Sequence, residues 1–338
     1  MFKQSARTLA LVLVLVLFFG AAGAARADSC SASMTDVVFA GVSPISGNDY
    51  YASGTLTITC TLQLALQNAL APNLTYCVSL GAGSGGTSGA WRAMVAGAAR
   101  LPYNLYVDSS YGGAAVWGGA AMPSNLNPIK DTVIGLVGVG VYTRSYTIYG
   151  KIPGSALAGI GTSGNGDTVY TSSFGADATF TYSLTTLLGP PACNTGAPAI
   201  TAPLPFQVRA SIVNNCVINA SNLSFGSSNV LAGAVRANAG LAVRCTANNA
   251  YRIALNGGVN GSVADRRMRN GVTGETVRYL ISATPDGAGW GDGSAGTSMA
   301  AGTGNGAVQN LPLYGLVPAQ ATPSPGDYKD TVTATVYF

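Results

Sequence analysis

Histidine is absent from this 338-residue sequence, and glutamate occurs once, at Glu275. Without an imidazole the chain cannot form a Ser-His-Asp arrangement, and one glutamate with scattered aspartates gives no evident carboxylate pair for acid–base chemistry. The same shortage removes common metal ligands, and none of the six cysteines lies in a C-x-x-C pair. We therefore expect no enzyme activity, no metal and no cofactor.

Charge is also scarce, since Asp, Glu, Lys and Arg make up 9% of the residues. Residues 1–27 combine Lys3 and Arg7 with an apolar run and end in Ala25-Arg26-Ala27, as secretory signal peptides do. The run is short for a membrane span, which needs roughly 20 apolar residues. Cleavage would remove three basic residues and no acidic one, lowering the formal charge from +4 to +1. So small a charge predicts no nucleic-acid partner.

Gly, Ala, Ser, Thr and Val are abundant, which favours an all-β fold with many turns. The second half of the chain also repeats the first. Landmarks recur in the same order at similar spacing: Cys30 and Cys216, Phe39 and Phe225, Cys60 and Cys245, Tyr76 and Tyr251, Arg92 and Arg266, Trp117 and Trp290, Tyr149 and Tyr314. We predict two tandem β-domains at residues 28–186 and 206–338, joined by a Pro-rich linker at residues 187–205.

Six cysteines in an exported chain indicate disulfides. The repeat suggests the pairs Cys30–Cys60 and Cys216–Cys245, which occupy matching positions. Cys77 and Cys193 have no counterpart in the other half and would pair by elimination. Six cysteines allow fifteen connectivities, and the sequence does not choose among them.

The order of these motifs, closing with Gly326, Tyr328 and Asp330-Thr331-Val332, resembles the spore coat protein U domain family. That family includes subunits of archaic, Csu-type chaperone–usher pili. The resemblance covers the second domain nearly completely and the first more loosely, because "SSFGADATFTYS" lacks the Asp-Thr-Val signature. With two domains, the chain resembles the tip adhesins of such pili.

The resemblance implies immunoglobulin-like β-sandwiches, the C-terminal one lacking a strand and leaving an apolar groove along its last strand. A periplasmic chaperone would first fill this groove and grip the C-terminal carboxylate. An outer-membrane usher and an adjacent subunit that donates a strand would be the further partners. Val332, Ala334, Val336 and Phe338, which alternate with Thr and Tyr, would form the chaperone and donor-strand edge. The alternative is an ordinary last strand in a complete sandwich.

A strand donor needs an extended segment before its first cysteine, but the predicted mature chain begins two residues before Cys30. This predicts a place at the pilus tip, on the cell surface after export through the periplasm. A comparable segment, "FQVRASIVNNC", is internal and has Phe206, Val208, Ala210 and Ile212 on one face. It would either complete the first domain or begin the second.

The first domain has three insertions relative to the second, and all are apolar, whereas loops are normally polar. We expect them to form a surface that binds hydrophobic abiotic or host surfaces and supports biofilm formation. Its residues would be Leu64, Leu66, Leu70, Ile134, Leu136, Val137, Val139, Leu157 and Ile160. Alternatively, these segments fold back into an enlarged domain.

Two other functions are open from the sequence. One is a glycan- or protein-receptor adhesin that uses aromatic and acidic side chains of the first domain, namely Tyr50, Tyr51, Tyr111 and Trp117 with Asp49 and Asp108. The other is a secreted structural coat protein that never enters a pilus.

Overall fold

The computed structural model describes residues 29–62, 73–119, 127–133, 140–185 and 200–338. It is all-β, as predicted, and contains two cores that do not merge. We call the strands around the first core the first domain and those around the second core the second domain. Within the described ranges, no helix is long and apolar enough to cross a membrane.

The first domain contains thirteen strands within the described ranges. They are β1 (Ser29–Met34), β2 (Val37–Val42), β3 (Tyr50–Leu62), β4 (Asn73–Leu80), β5 (Thr87–Ser88), β6 (Trp91–Ala96), β7 (Ala99–Tyr106), β8 (Ile129–Val133), β9 (Gly140–Ile152), β10 (Thr168–Phe174), β11 (Ala178–Thr185), β12 (Ile200–Pro203) and β13 (Phe206–Ile212). Short 3-10 turns cover Gly113–Ala115 and Gly154–Leu157.

Two sheets enclose the first core. The larger has the order β1-β3-β9-β7-β6-β10-β13-β2, with β5 beside β6, and the smaller has the order β12-β11-β4-β8. Inward residues alternate with outward ones along the strands, and in β3 Leu56, Ile58 and Cys60 are fully buried between exposed or half-buried threonines. The chain passes from one sheet to the other between β10 and β11.

The second domain repeats this plan with fewer strands. Within the described residues they are β14 (Cys216–Ala220), β15 (Val235–Cys245), β16 (Ala250–Leu255), β17 (Arg266–Asn270), β18 (Thr276–Ser282), β19 (Ala300–Thr303), β20 (Gln309–Val317), β21 (Tyr328–Lys329) and β22 (Ala334–Tyr337). The sheet orders are β14-β15-β20-β18-β17-β21 and β19-β16-β22.

The repeated landmarks have the same structural role in each domain. The Nε1 of Trp117 donates to the carbonyl oxygen of Val78 at 2.9 Å, and that of Trp290 donates to the carbonyl oxygen of Ile253 at 2.8 Å. Both indoles thereby tie a buried loop to the central strand of the smaller sheet.

The repeated arginines Arg92 and Arg266 are buried, and no carboxylate of the described residues forms a salt bridge with either. The guanidinium of Arg92 donates to the backbone carbonyls of Leu80, Gly81 and Trp117, and Arg266 donates to those of Leu255 and Asn256. Burial lowers the pKa of Arg92 to about 10. These side chains satisfy carbonyl groups at a strand end that would otherwise lack donors inside the fold.

Two disulfides join directly opposed residues of neighbouring strands. Cys30 in β1 bonds to Cys60 in β3, and Cys216 in β14 bonds to Cys245 in β15. Cys77 is also disulfide-bonded. Its predicted partner Cys193 and the predicted signal peptide at residues 1–27 lie outside the described residues.

Candidate strand-accepting groove and tip loops

Strand β13 completes the first domain. It pairs antiparallel with β10 from Phe206↔Phe174 to Ile212↔Thr168, and parallel with β2 on its other side. Its inward side chains are at most 5% exposed, whereas Gln207 and Arg209 point to solvent. Of the two interpretations that the sequence allows, the structure supports completion of the first domain. The predicted start of the second domain at residue 206 is therefore wrong, because residues 206–212 pack in the first core.

Phe206 packs against other aromatic rings of the first core. Its ring stacks on that of Phe174, with centroids 4.5 Å apart and an interplanar angle of 8°, and lies 6.2 Å from the ring of Trp117 at 9°.

The segment that completes the first domain begins before β13, at residue 200. Strand β12 pairs antiparallel with β11, and Leu204 between β12 and β13 is fully buried. Residues 200–205 were predicted to belong to a linker, and that assignment is wrong for them because they pack in the first domain. The alternation of Ala202, Leu204 and Phe206 in one phase was the available signal, but Pro203 and Pro205 between them concealed it.

In the second domain the equivalent edge is open. Strand β21 pairs with β17 as β10 pairs with β6, and β22 pairs with β16 as β11 pairs with β4. Within the described residues, no strand of the second domain occupies the places that β12 and β13 take in the first.

Side chains at equivalent positions of this edge are more exposed in the second domain than in the first. In the first domain the residues of this edge are nearly inaccessible: Tyr170 1%, Phe174 5%, Ala178 0% and Phe180 0%. Their counterparts Tyr328, Val332, Ala334 and Val336 are half-buried, and Phe338 is 47% exposed.

The opposite wall of the groove shows the same contrast. Phe39, in β2, is 2% exposed because β13 lies beside it. Its sequence counterpart Phe225 is half-buried, and residues 221–228 form no strand. A groove of apolar side chains with unpaired backbone beside it is therefore open along the second core.

Asp330 of the Asp-Thr-Val motif anchors the segment between β21 and β22. Its carboxylate accepts hydrogen bonds from the backbone amide of Val259 at 2.9 Å and from the hydroxyl of Tyr279 at 2.6 Å. Burial, and then the contact with Asp330, raises the pKa of Tyr279. Gly258 has a φ of 77°, and a side chain there would collide with this carboxylate. The motif thus ties the segment between β21 and β22 to Tyr279 of β18 and to the loop that contains Val259.

The stems of two predicted binding loops lie together at one end of the first domain. Leu62 pairs with Gly140 and Leu74 pairs with Val133, so described residues that flank residues 63–72 and 134–139 pair with one another. The opposite end of the paired strands β3 and β9 lies at Tyr50, whose hydroxyl accepts a hydrogen bond from the backbone amide of Ser43. The side chain of Ser43 in turn contacts Asn215 of the second domain. Thirteen residues of β3 separate the two ends by about 40 Å.

Seven of the predicted surface-binding residues lie outside the described residues, in the segments that follow these stems: Leu64, Leu66, Leu70, Ile134, Leu136, Val137 and Val139. Next to them, the described Val141 is 67% exposed.

The third predicted loop has a different location. Leu157 is fully buried in the first core, and Ile160 packs against that core. The assignment of these two residues to an exposed binding surface is therefore wrong. Their apolar character serves packing of the turn at Gly154–Leu157.

The polar part of this insertion joins the two domains. Gly161 forms a β-bridge with Ala247, and the hydroxyl of Thr162 donates to the side-chain oxygen of Asn249 at 3.0 Å. The backbone amide of Ala250 donates to the side chain of Asn165 at 3.3 Å. The extra residues hold the second domain in a defined place on the first.

Two of the aromatic residues predicted for a receptor site make contacts within the protein. Trp117 is fully buried, and the hydroxyl of Tyr50 contacts Ser43 and Ser46. Tyr51 and Tyr111 do lie together, with ring centroids 4.8 Å apart.

Comparison with known families gives a match over both halves of the chain. The spore coat protein U domain model matches residues 17–174 and 202–335, which is most of the sequence. The chain belongs to the spore coat protein U domain family. The second match begins inside β12, ahead of the strand that completes the first domain.

Among solved structures, this family member is similar to the chaperone–tip adhesion subunit pre-assembly complex CsuC-CsuE from archaic chaperone-usher Csu pili of Acinetobacter baumannii. The TM-score is 0.52 at 18% identity, with 92% of this chain and 100% of that chain covered. A chaperone–tip adhesin complex of CFA/I fimbriae gives a TM-score of 0.26 at 10% identity, covering 92% and 97% of the two chains. The first likeness concerns the fold, and the second is too low to carry an argument. Curated protein sequences give no match.

Proposed function

We propose that this protein is a subunit of a chaperone–usher pilus whose second domain accepts a strand from another molecule. The observation that carries the proposal is the internal comparison of the two domains. Equivalent side chains are buried in the first domain by residues 200–212 and half-buried in the second, which has no such strand within the described residues. One chain thus contains the same groove in a filled and an open form.

The partners follow from that groove. A periplasmic chaperone covers the edge formed by Val332, Ala334, Val336 and Phe338 before assembly. The outer-membrane usher then exports the subunit, and an adjacent subunit supplies the strand that remains. Each large apolar side chain that becomes fully buried contributes on the order of 2 kcal/mol, which favours a donor with alternating apolar residues like those of β13.

We place the first domain at the outer end of the fibre. At the rise of a β-strand, the thirteen residues of β3 put the stems of the two apolar segments about 40 Å from the end of the β3–β9 pair that faces the second domain. Loops in this place would contact a surface first. The protein therefore acts as a tip adhesin that attaches cells to hydrophobic surfaces and promotes biofilm formation, with many fibres adding avidity.

The groove is tested by giving the second domain its own strand. A copy of residues 186–212, with serine at the position of Cys193, is appended after Phe338, because these residues follow β11 in the first domain. We expect a higher melting temperature for the second domain and loss of binding to a hydrophobic dye. The matched control carries aspartate at the positions of Phe206 and Val208 in the copy. Equal effects of both extensions would show that the groove accepts no strand.

The loops are tested by attachment to polystyrene. Leu136→Asp should reduce attachment of piliated cells. Val169→Asp is the control and should leave attachment unchanged, because Val169 is a residue of β10 whose side chain is 55% exposed. Undiminished attachment by the Leu136 variant, with normal piliation, would refute the surface contact while leaving the groove untouched.

A further inference from the structure

The outer face of the first domain's larger sheet is lined with hydroxyl groups. Exposed or half-buried positions of β3 and β9 carry Thr55, Thr57 and Thr59 opposite Thr147, Ser145 and Thr143. Thr57 Oγ1 and Ser145 Oγ are 3.4 Å apart. Neither a carboxylate nor a cation stands among these six outward positions, so this stretch of the face is polar but uncharged.

The end of this face nearest the second domain is bounded by tyrosines. The ring of Tyr111 lies 4.8 Å from that of Tyr51, 5.3 Å from that of Tyr106 and 6.1 Å from that of Tyr149. Tyr106 is buried under the loop at residues 107–116, whereas Tyr51 is 54% exposed. We call Tyr51, Tyr111 and Tyr149 the tyrosine shelf.

Tyr111 has an unfavourable backbone conformation for a bulky residue, with φ at 53°. Such conformations persist where the surrounding structure holds a side chain in a required place, often in a binding site. Here the conformation brings the Tyr111 ring over the outer face of β9 and beside Tyr51. Within the described residues, the hydroxyls of Tyr111 and Tyr149 form no hydrogen bond with the protein.

A charged pair completes the shelf. Lys151 Nζ lies 2.7 Å from Asp49 Oδ2, and the hydroxyl of Tyr51 donates to the same carboxylate at 3.2 Å. The Lys151 ammonium also lies 5.8 Å from the centroid of the Tyr51 ring. The hydrogen bond from Lys151 lowers the pKa of Asp49, so the pair carries no net charge at neutral pH.

We infer that the tyrosine shelf and the adjoining hydroxyl face bind a neutral oligosaccharide. A pyranose ring has an apolar face that packs on an aromatic ring, and its hydroxyls need donors and acceptors at the ring edge. The tyrosine shelf offers the aromatic rings. The Ser and Thr side chains of β3 and β9, with Asp49 and Lys151, offer the hydrogen-bond donors and acceptors. An acidic sugar would find no unpaired cation at the shelf, because Lys151 already contacts Asp49.

The second domain keeps a tyrosine at the position of Tyr149 but not at those of Tyr51 and Tyr111, so the fold does not require these last two rings. At the matching place in the second domain, a surface cavity of about 260 Å³ is lined by Tyr314 and the Arg236–Asp286 pair. Tyr314 faces Ser282 across β20 and β18 as Tyr149 faces Tyr106 across β9 and β7. Asp286 has the same unusual backbone as Tyr111, with φ at 50°. An ion pair thus takes the places of Tyr51 and Tyr111, while the third ring is retained as Tyr314.

The test uses the full chain and panels of short neutral oligosaccharides built from glucose, galactose and N-acetylglucosamine, with sulfated forms of the same sugars. We expect at least one neutral oligosaccharide to bind. Tyr51→Ala and Tyr149→Ala should each weaken it about tenfold, while Tyr51→Phe, which keeps the ring, should retain most of the affinity. Tyr314→Ala, at the matching place in the second domain, is the control and should bind like the unaltered chain.

Several outcomes would overturn the inference. These are no binding of any neutral sugar, binding of the sulfated forms alone, or affinity that Tyr51→Ala and Tyr149→Ala leave unchanged. Sedimentation of the unaltered chain and the Tyr51→Ala variant tests whether a second copy of the chain binds the shelf instead. Self-association that is lost in the variant would assign the shelf to a second copy. Leu136→Asp should leave sugar binding intact, which separates this site from the tip loops.

Discussion

Replacing Phe206 by alanine should destabilise the first domain although residue 206 follows the Pro-rich segment that separates the two halves of the sequence. The side chain is 5% exposed and stacks on Phe174 at 4.5 Å. Truncation of a buried phenylalanine costs about 3–5 kcal/mol. For a domain of this size, such a loss lowers the melting temperature by about 6–20 °C.

Calorimetry of the full chain would give the melting of each domain, and hydrogen exchange would locate the effect. Amides of β10, which pairs with β13, should lose protection, while those of β15 and β20 should not. Gln207→Ala is the matched control, because that side chain is exposed and its backbone amide keeps its hydrogen bond to Asp36. It should change stability by no more than about 0.5 kcal/mol.

The reasoning would be refuted if Phe206→Ala and Gln207→Ala had equal effects. It would also be refuted if the alanine at position 206 lowered protection in the second domain and spared the first. Either result would mean that β13 is not part of the first core.

Further predictions concern the first core and the contact between the two domains. Arg92→Met leaves three core carbonyls without their donor and should cost about 3 kcal/mol or more in urea unfolding; a loss under about 1 kcal/mol would contradict that role. Burial raises the pKa of Tyr103, so the folded state keeps a proton that the unfolded state loses; stability should fall as pH rises above about 10, and Tyr103→Phe should flatten this decline in melting temperature. A Cβ at Gly161 would lie 2.6 Å from the carbonyl oxygen of Ala247, so Gly161→Ala should loosen the two domains in small-angle X-ray scattering, whereas Gly166→Ala, which meets nothing within 4 Å, should not.

Sequence patterns predicted the duplication because its landmarks depend on side-chain chemistry. The indole of Trp117 and the guanidinium of Arg92 donate hydrogen bonds to backbone carbonyls, and the same contacts recur at Trp290 and Arg266. The alternation in β13 predicted which side chains point inward. It could not predict into which core they point, because that depends on pairing with β10 and β2, which lie far away in sequence.

The apolar insertions show a similar limit. Composition alone does not distinguish a loop that faces a partner from one that fills its own domain. Leu157 is apolar because it packs in the first core, and the following residues contact the second domain. The shelf around Tyr111 was also only partly predictable, since Tyr51 and Tyr111 meet through the path of a loop, and their predicted neighbour Trp117 is buried.

The position of β13 has a mechanical consequence. Three residues separate its last residue, Ile212, from the start of β14, so tension transmitted through the second domain enters the first along the axis of β13. The seven residue pairs that join β13 to β10 are arranged across that axis. A pull in this direction loads those pairs in shear, all at once, instead of opening them one after another from an end. In the fibre proposed above, a pull on the second domain would therefore load this junction in its most resistant geometry.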